Sequence, residues 1–274
     1  MSFALTVLPD AQAVGDAVAD KIADAIAAAN TVDSPPAAKP FLLGCPTGRT
    51  PTPVYQALAR LVAERSIDLS RVIIVLMDEY LVPGPGGEVR PADPARSYSC
   101  VGFAKREIAG PLNAAAARAG VGPVADIWAA DPNHPEEYDA RIIAAGGIDI
   151  FILASGQSDG HIAFNQPGTD RESITHIANL GAATRTDNMS TFPEFTSLDQ
   201  VPKQGITVGI STIIELSKKV IMIVTGKDKQ LAFQRLTHAT SYEPDWPATA
   251  FVEGRNPELF ADAAAAQTER INNG

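Results

Sequence analysis

Apolar residues recur every four positions at Val14, Val18, Ile22 and Ile26 in an Ala-rich run, which predicts an amphipathic first helix. A Pro-rich loop follows over residues 31–40. Phe41-Leu42-Leu43 then reads as a short buried strand that runs into Gly44-Cys45-Pro46-Thr47-Gly48-Arg49-Thr50-Pro51. Val54, Leu58, Leu61 and Val62 mark the inner face of a second helix. Val72-Ile73-Ile74-Val75-Leu76-Met77 has no polar alternation, as suits a parallel strand covered on both faces. Residues 82–94, rich in Pro and Gly, are predicted to form a mobile loop. A helix over 101–108, a weak strand over 124–128 and a helix over 135–145 follow. Strands over 148–154, 205–210 and 220–225 complete the pattern, the last two each followed by a helix. Alternating strands and helices predict an α/β fold: a Rossmann-like, doubly wound, mostly parallel sheet with flanking helices. No repeat or linker divides the chain, so residues 1–274 are expected to form one domain.

Composition narrows the choice of partner. A chain of 274 residues, 45% hydrophobic and 20% charged, has the make-up of an ordinary globular protein. A net charge of -10 and a pI near 4.9 argue against a nucleic-acid partner, which would need a basic face. The apolar stretches are of strand length, too short to span a membrane. The start, Met1-Ser2-Phe3-Ala4, has no signal-peptide pattern. Cys45 and Cys100 read as incidental buried thiols in a reducing compartment. Together these predict a soluble, cytoplasmic protein.

Polar motifs follow the carboxyl ends of the strands, where open α/β sheets bind ligands. Residues 44–50, 78–80, 159–161 and 226–229 are therefore expected at one rim. Thr47, Gly48, Arg49 and Thr50 leave a strand and open a helix, an arrangement that offers backbone N–H groups, hydroxyls and a guanidinium to an anion. It is not a Walker loop, because no Gly-Lys-Ser/Thr closes it. A plain strand-to-helix turn with Pro51 at the helix start is the alternative. Asp78 and Glu79, consecutive carboxylates at the end of an apolar strand, are costly to place there without a use. A carboxylate above the C1–C2 bond of a sugar could move a proton between those carbons. The alternative is that Asp78 caps the next element or pairs with Arg96. In Asp159-Gly160-His161, the carboxylate can orient an imidazole suited to shuttling a proton at neutral pH. His134, His176 and His238 lack such a turn and read as structural.

These segments, with Asp159-Gly160-His161-Ile162-Ala163-Phe164-Asn165 the most specific, resemble the glucosamine-6-phosphate deaminase/isomerase family, in order over residues 42–236. Thr207-Val208-Gly209-Ile210 adds to the match. The resemblance implies a hexosamine 6-phosphate or related sugar phosphate as substrate, with no metal or organic cofactor. It implies Asp78 as the proton-transfer base and Asp159 with His161 in ring opening. Lys229 matches a lysine that contacts phosphate, and Glu79 is grouped with the loop residues as a substrate contact. Some members assemble, so a homo-oligomer is among the expected partners.

Two positions depart from the family pattern. Gln166 stands where the family has a Glu in its catalytic relay, and an amide brings no charge to an imidazolium. Ser190 stands where the family has a phosphate-binding Arg, a loss that Arg49 could offset. Two other readings share the fold. A 6-phosphogluconolactonase would use the His to activate water against an ester. A sugar-phosphate sensor would bind without turnover, although such proteins normally carry a separate DNA-binding segment.

Overall fold

The computed structural model describes residues 3–31, 39–192 and 194–267. Most of the Pro-rich loop, residues 32–38, lies outside them. In chain order the strands are β1 (Ala4–Leu8), β2 (Phe41–Cys45), β3 (Val72–Leu76), β4 (Asp78–Pro83), β5 (Val89–Pro91), β6 (Asp126–Trp128), β7 (Ile150–Ala154), β8 (His176–Asn179), β9 (Gln204–Thr207), β10 (Val220–Val224) and β11 (Glu258–Asp262). The helices are α1 (Ala11–Thr31), α2 (Thr52–Arg65), α3 (Cys100–Phe103), α4 (Gly110–Ala119), α5 (Glu136–Ala145), α6 (Ala182–Thr191), α7 (Ile210–Leu216), α8 (Gln230–His238) and α9 (Ala263–Ala266). A π-helical turn, Ala104–Ala109, joins α3 to α4.

Seven strands form one parallel sheet in the order β1-β11-β10-β7-β2-β3-β6. Successive side chains of a strand point to opposite faces, and here both faces are covered. Leu43, Ile74, Ile152 and Ile223 face α1, α2 and α4, whereas Leu42, Val75, Phe151 and Met222 face α5, α7 and α8. This is why β2, β3 and β10 read as unbroken apolar runs: all five residues of each are buried. The chain winds outward from β2 through β3 in one direction and from β7 through β10 in the other. The two halves meet between β2 and β7, the switch point at which such sheets open a crevice.

The sequence pattern predicted one sheet, but there are two. A four-stranded antiparallel sheet, β5-β4-β9-β8, stands beside the strand ends. Only Met77 separates β3 from β4, so the chain leaves one sheet and enters the next almost at once. The expected parallel strand over 205–210 is β9 of this second sheet, and Ile210 already begins α7. Much of the expected mobile loop over 82–94 is the β4–β5 hairpin, with Leu81 opposite Pro91 and Pro83 opposite Val89. Tyr80, Tyr98, Phe164 and Phe195 fill a third core beneath it. The pattern also missed the edge strand β1, half-exposed at Leu5 and Val7, and its neighbour β11. Among the described residues, no helix is long and apolar enough to cross a membrane.

Candidate active site

A cavity of about 340 Å³ opens at the carboxyl ends of β2, β3, β7 and β10. Thr47, Gly48, Arg49 and Thr50 form one wall where β2 turns into α2. Tyr55 on α2 donates its hydroxyl to the Pro46 carbonyl at 2.6 Å, and Thr52 donates to the Gly48 carbonyl at 2.9 Å, so the loop is pinned from the helix side. Across the cavity, Lys229 follows β10. Its Nζ donates to the Ser155 carbonyl at 2.7 Å. Burial pushes its pKa down, and the nearby Arg49 adds to that effect against the pull of Asp228 and Asp187. Arg49 and Lys229 thus put two cations on one cavity of a strongly acidic protein.

Asp78 lies on the cavity where the chain crosses from β3 to β4. Burial pushes its carboxyl up to about 7, against a hydrogen bond from the Cys100 thiol at 3.3 Å; Glu79 adds to the rise and His161 opposes it. Cys100, expected to be incidental, is therefore in contact with the candidate base. Both cysteines are free and buried. Asp78 does not pair with Arg96, which instead bonds Glu194.

Glu79 requires a correction. It was expected to touch substrate, but it is 1% exposed and absent from the cavity wall. Its Oε1 accepts from the backbone N–H groups of Tyr80 (2.8 Å) and Cys100 (3.0 Å). Its Oε2 accepts from Val101 N–H (2.9 Å) and the Ser99 hydroxyl (2.8 Å). A buried carboxylate needs such partners, and these cap the start of α3. Glu79 therefore holds Cys100 against Asp78 rather than holding a ligand.

The Asp159–His161 turn leaves β7 and folds back on itself, Gly156 N–H donating to the His161 carbonyl at 2.7 Å. Two glycines are required here. A Cβ on Gly156 would come within 2.2 Å of His161 Nδ1, and one on Gly160, at φ +65°, within 2.3 Å of the Trp246 ring. Ala163, also on the cavity, is held at φ +50°, an uncommon conformation for a residue with a Cβ. Asn165 is fully buried and donates to the Ile162 and Val208 carbonyls, tying the turn to the end of β9.

His161 Nδ1 lies 2.6 Å from Asp159 Oδ1, and the His161 backbone N–H donates to the same oxygen at 3.1 Å. Burial would raise the Asp159 carboxyl, but the hydrogen bonds from His161 and Thr184 bring it down to about 2. With Nδ1 engaged by Asp159, Nε2 is the nitrogen left for a ligand. Asp159, His161 and Asp187 carry ligand-type atoms within 4.8 Å of one another. At 2.6 Å the first two are hydrogen-bonded to each other, and a shared cation would have to break that bond.

Gln166 also sits differently from its expected place. It does not line the cavity; its Oε1 meets the Thr184 hydroxyl at 2.9 Å, and Thr184 in turn meets Asp159 Oδ2 at 2.9 Å. One residue thus intervenes between Gln166 and the carboxylate. The side chain of Ser190 lies outside the described residues. His134, His176 and His238 are away from the cavity wall.

A model of the family described as glucosamine-6-phosphate isomerases/6-phosphogluconolactonase matches residues 9–260. The chain belongs to this family. A relative from Streptomyces avermitilis named glucosamine-6-phosphate deaminase is 37% identical over 226 residues, covering 82% of this chain and 77% of that one. Another of the same name, from Bacillus pumilus, is 34% identical over 243 residues, covering 86% and 90%. Among solved structures, a monomeric glucosamine-6-phosphate deaminase gives a TM-score of 0.78 at 24% identity, over 96% of this chain and 99% of that one. The 6-phosphogluconolactonase of Thermotoga maritima gives 0.64 at 20% identity, over 95% and 99%. These two structures share its fold. The curated relatives are enzymes, in keeping with the reading of this chain as one.

On α6, sequence reasoning named position 190 and missed its neighbours. Asp187, Asn188 and Thr191 line the cavity, and the Ser158 hydroxyl donates to Asp187 Oδ2 at 3.0 Å. The partner of Asp187 stands twenty-nine residues earlier in the chain, too far for a local motif to mark it.

Proposed function

We propose that this family member isomerises and deaminates a hexosamine 6-phosphate, giving a ketose phosphate and ammonia. Arg49, Lys229 and the Thr47–Thr50 turn hold the phosphate. His161, oriented by Asp159, relays the proton of the anomeric hydroxyl to the ring oxygen and so opens the ring. Asp78 takes the proton from C2 and returns it to C1, leaving an imine at C2. Water adds there, and ammonia leaves.

The observation that carries this reading is that a proton-accepting carboxyl and an oriented imidazole share one cavity with two cations. A carboxyl near pH 7 in its titration matches a group that must both take and return a proton. The deaminase names of the curated relatives support the same choice. A lactonase shares the fold but has no use for a base over C1–C2. The unpaired thiols support a reducing, cytoplasmic setting. Incubation with glucosamine 6-phosphate tests the proposal: ammonia and ketose phosphate should appear in equal amounts. Acid release from 6-phosphogluconolactone without ammonia from the amino sugar would replace it with the lactonase reading. Binding without turnover of either would leave a sensor.

A further inference from the structure

Thr184 is fully buried in the first turn of α6, and its hydroxyl meets three polar groups. Asp159 Oδ2 and Gln166 Oε1 each lie at 2.9 Å, and His161 Nδ1 at 3.2 Å. A hydroxyl has one proton to give. Gln166 presents its oxygen here because Gly181 N–H donates to that oxygen at 3.1 Å, while its amide nitrogen donates to the Phe164 carbonyl at 3.3 Å. Turning the amide round would set its N–H groups against that of Gly181. Asp159, ionised, can only accept, so His161 Nδ1 supplies the proton of their 2.6 Å bond.

Two acceptors therefore compete for one hydroxyl proton. Hydrogen bonds to a charged acceptor are roughly twice as strong as neutral ones, so the proton goes to Asp159. Its carboxylate is then gripped at both ends: Oδ1 by the His161 ring and backbone, Oδ2 by Thr184. A carboxylate held at one oxygen alone can swing about its Cβ–Cγ bond, and the imidazole it orients would swing with it. We propose that Thr184 is a positioning residue, the second anchor of Asp159, and that Gln166 competes for its hydroxyl instead of acting as a link in the proton relay. This rests on the reaction proposed above for its kinetic consequence, but not for its geometry.

Three variants test it. Thr184→Val keeps the shape and loses the hydroxyl; Thr184→Ser keeps the hydroxyl; Gln166→Met keeps length and loses the acceptor. Thr184 does not line the cavity. Thr184→Val should therefore lower kcat by about 10- to 100-fold, the scale of a misplaced catalytic group, with KM within about 2-fold. Thr184→Ser and Gln166→Met should both stay within about 3-fold of the wild-type kcat. In proton NMR of the unliganded protein, the His161 Nδ1–H resonance should move in Thr184→Val and stay in place in the other two. Equal kcat in Thr184→Val and wild type, equal damage in the Ser and Val variants, or an unmoved imidazole resonance in Thr184→Val would each overturn the proposal. A Gln166→Met enzyme as impaired as Thr184→Val would restore Gln166 to the relay and also overturn it. If the wild-type protein releases no ammonia, the proposed reaction falls, and the NMR comparison still decides the role of Thr184.

Discussion

Asp78 lines the cavity and Asp159 reaches it through His161, and the chain treats the two acids in opposite ways. Among the described residues the donor to Asp78 is a thiol at 3.3 Å, and Glu79 is its neighbour; its carboxyl is pushed up to about 7. Asp159 is also partly buried, yet a backbone N–H, an imidazole and a hydroxyl bring it down to about 2. Deeper burial raises Asp78, whereas the donors around Asp159 outweigh its shallower burial. Two acids with environments that drive them apart point to two roles. An acid that changes state near neutrality suits carrying a proton, and a permanent anion suits holding an imidazole in place.

The largest effect should come from removing the proton carrier. Asp78→Asn is expected to lower the rate of ammonia release by about 1,000-fold or more while leaving substrate affinity within a few-fold, since an amide cannot take the C2 proton. Rate measurements beside calorimetric titration would show it. Near-normal turnover would break the comparison at its first term. Asp159→Asn should cost less, about 100-fold in kcat, because an amide oxygen can still accept from His161 Nδ1 but no longer balances an imidazolium. Wild-type activity in that variant would show that the anion at 159 has no part in the reaction.

These two acids were not equally legible. Asp159 and His161 announce themselves through a short turn, Asp-Gly-His, whose partners are two residues apart. Asp78 was found because it ends an apolar strand, but Glu79 was misread for the same reason. Adjacent carboxylates look alike in sequence, and only the fold shows that α3, about twenty residues on, brings its amides to Glu79. The parallel sheet was readable because β2, β3 and β10 are buried on both faces and so consist of apolar runs. The antiparallel sheet was not. Its strand β4 begins with Asp-Glu, and β8, His-Ile-Ala-Asn, exposes half its residues. Thr184 had no signal at all: it stands between Ala183 and Arg185, and its three partners lie eighteen to twenty-five residues earlier in the chain.

Arg49→Ala serves as a control outside the pair. Loss of a phosphate-matching guanidinium should raise KM by about 10-fold, with little change in the pH at which activity rises. A shift of that pH would mean that charge across the cavity, more than the local donors, sets Asp78. The donor itself is tested by Cys100. Because Asp78 must be ionised to accept a proton, kcat should climb with pH through about 7. The thiol's hydrogen bond lowers the Asp78 carboxyl, so Cys100→Ala should move that rise to higher pH. Cys100→Ser, with a stronger donor, should move it lower. Equal profiles in all three proteins would show that the thiol plays no part in tuning the acid.

The smallest effect is also the one in which the two acids differ in sign. The folded value of Asp78 lies above its ordinary value of 3.8, so its charge opposes folding. That opposition is absent below about pH 4, grows between 4 and 7, and is complete above 7. Asp159 is the reverse: its folded value near 2 lies below 3.8, so it contributes stability above about pH 4 that fades as pH falls toward 2. Asp78→Asn should therefore gain about 1–2 kcal/mol at pH 8 and much less at pH 4, whereas Asp159→Asn should lose a similar amount at pH 8. Urea unfolding of the two variants at both pH values measures this. If both substitutions destabilise at pH 8, burial has cost Asp78 nothing, and the contrast between a strained proton carrier and a satisfied anchor does not hold.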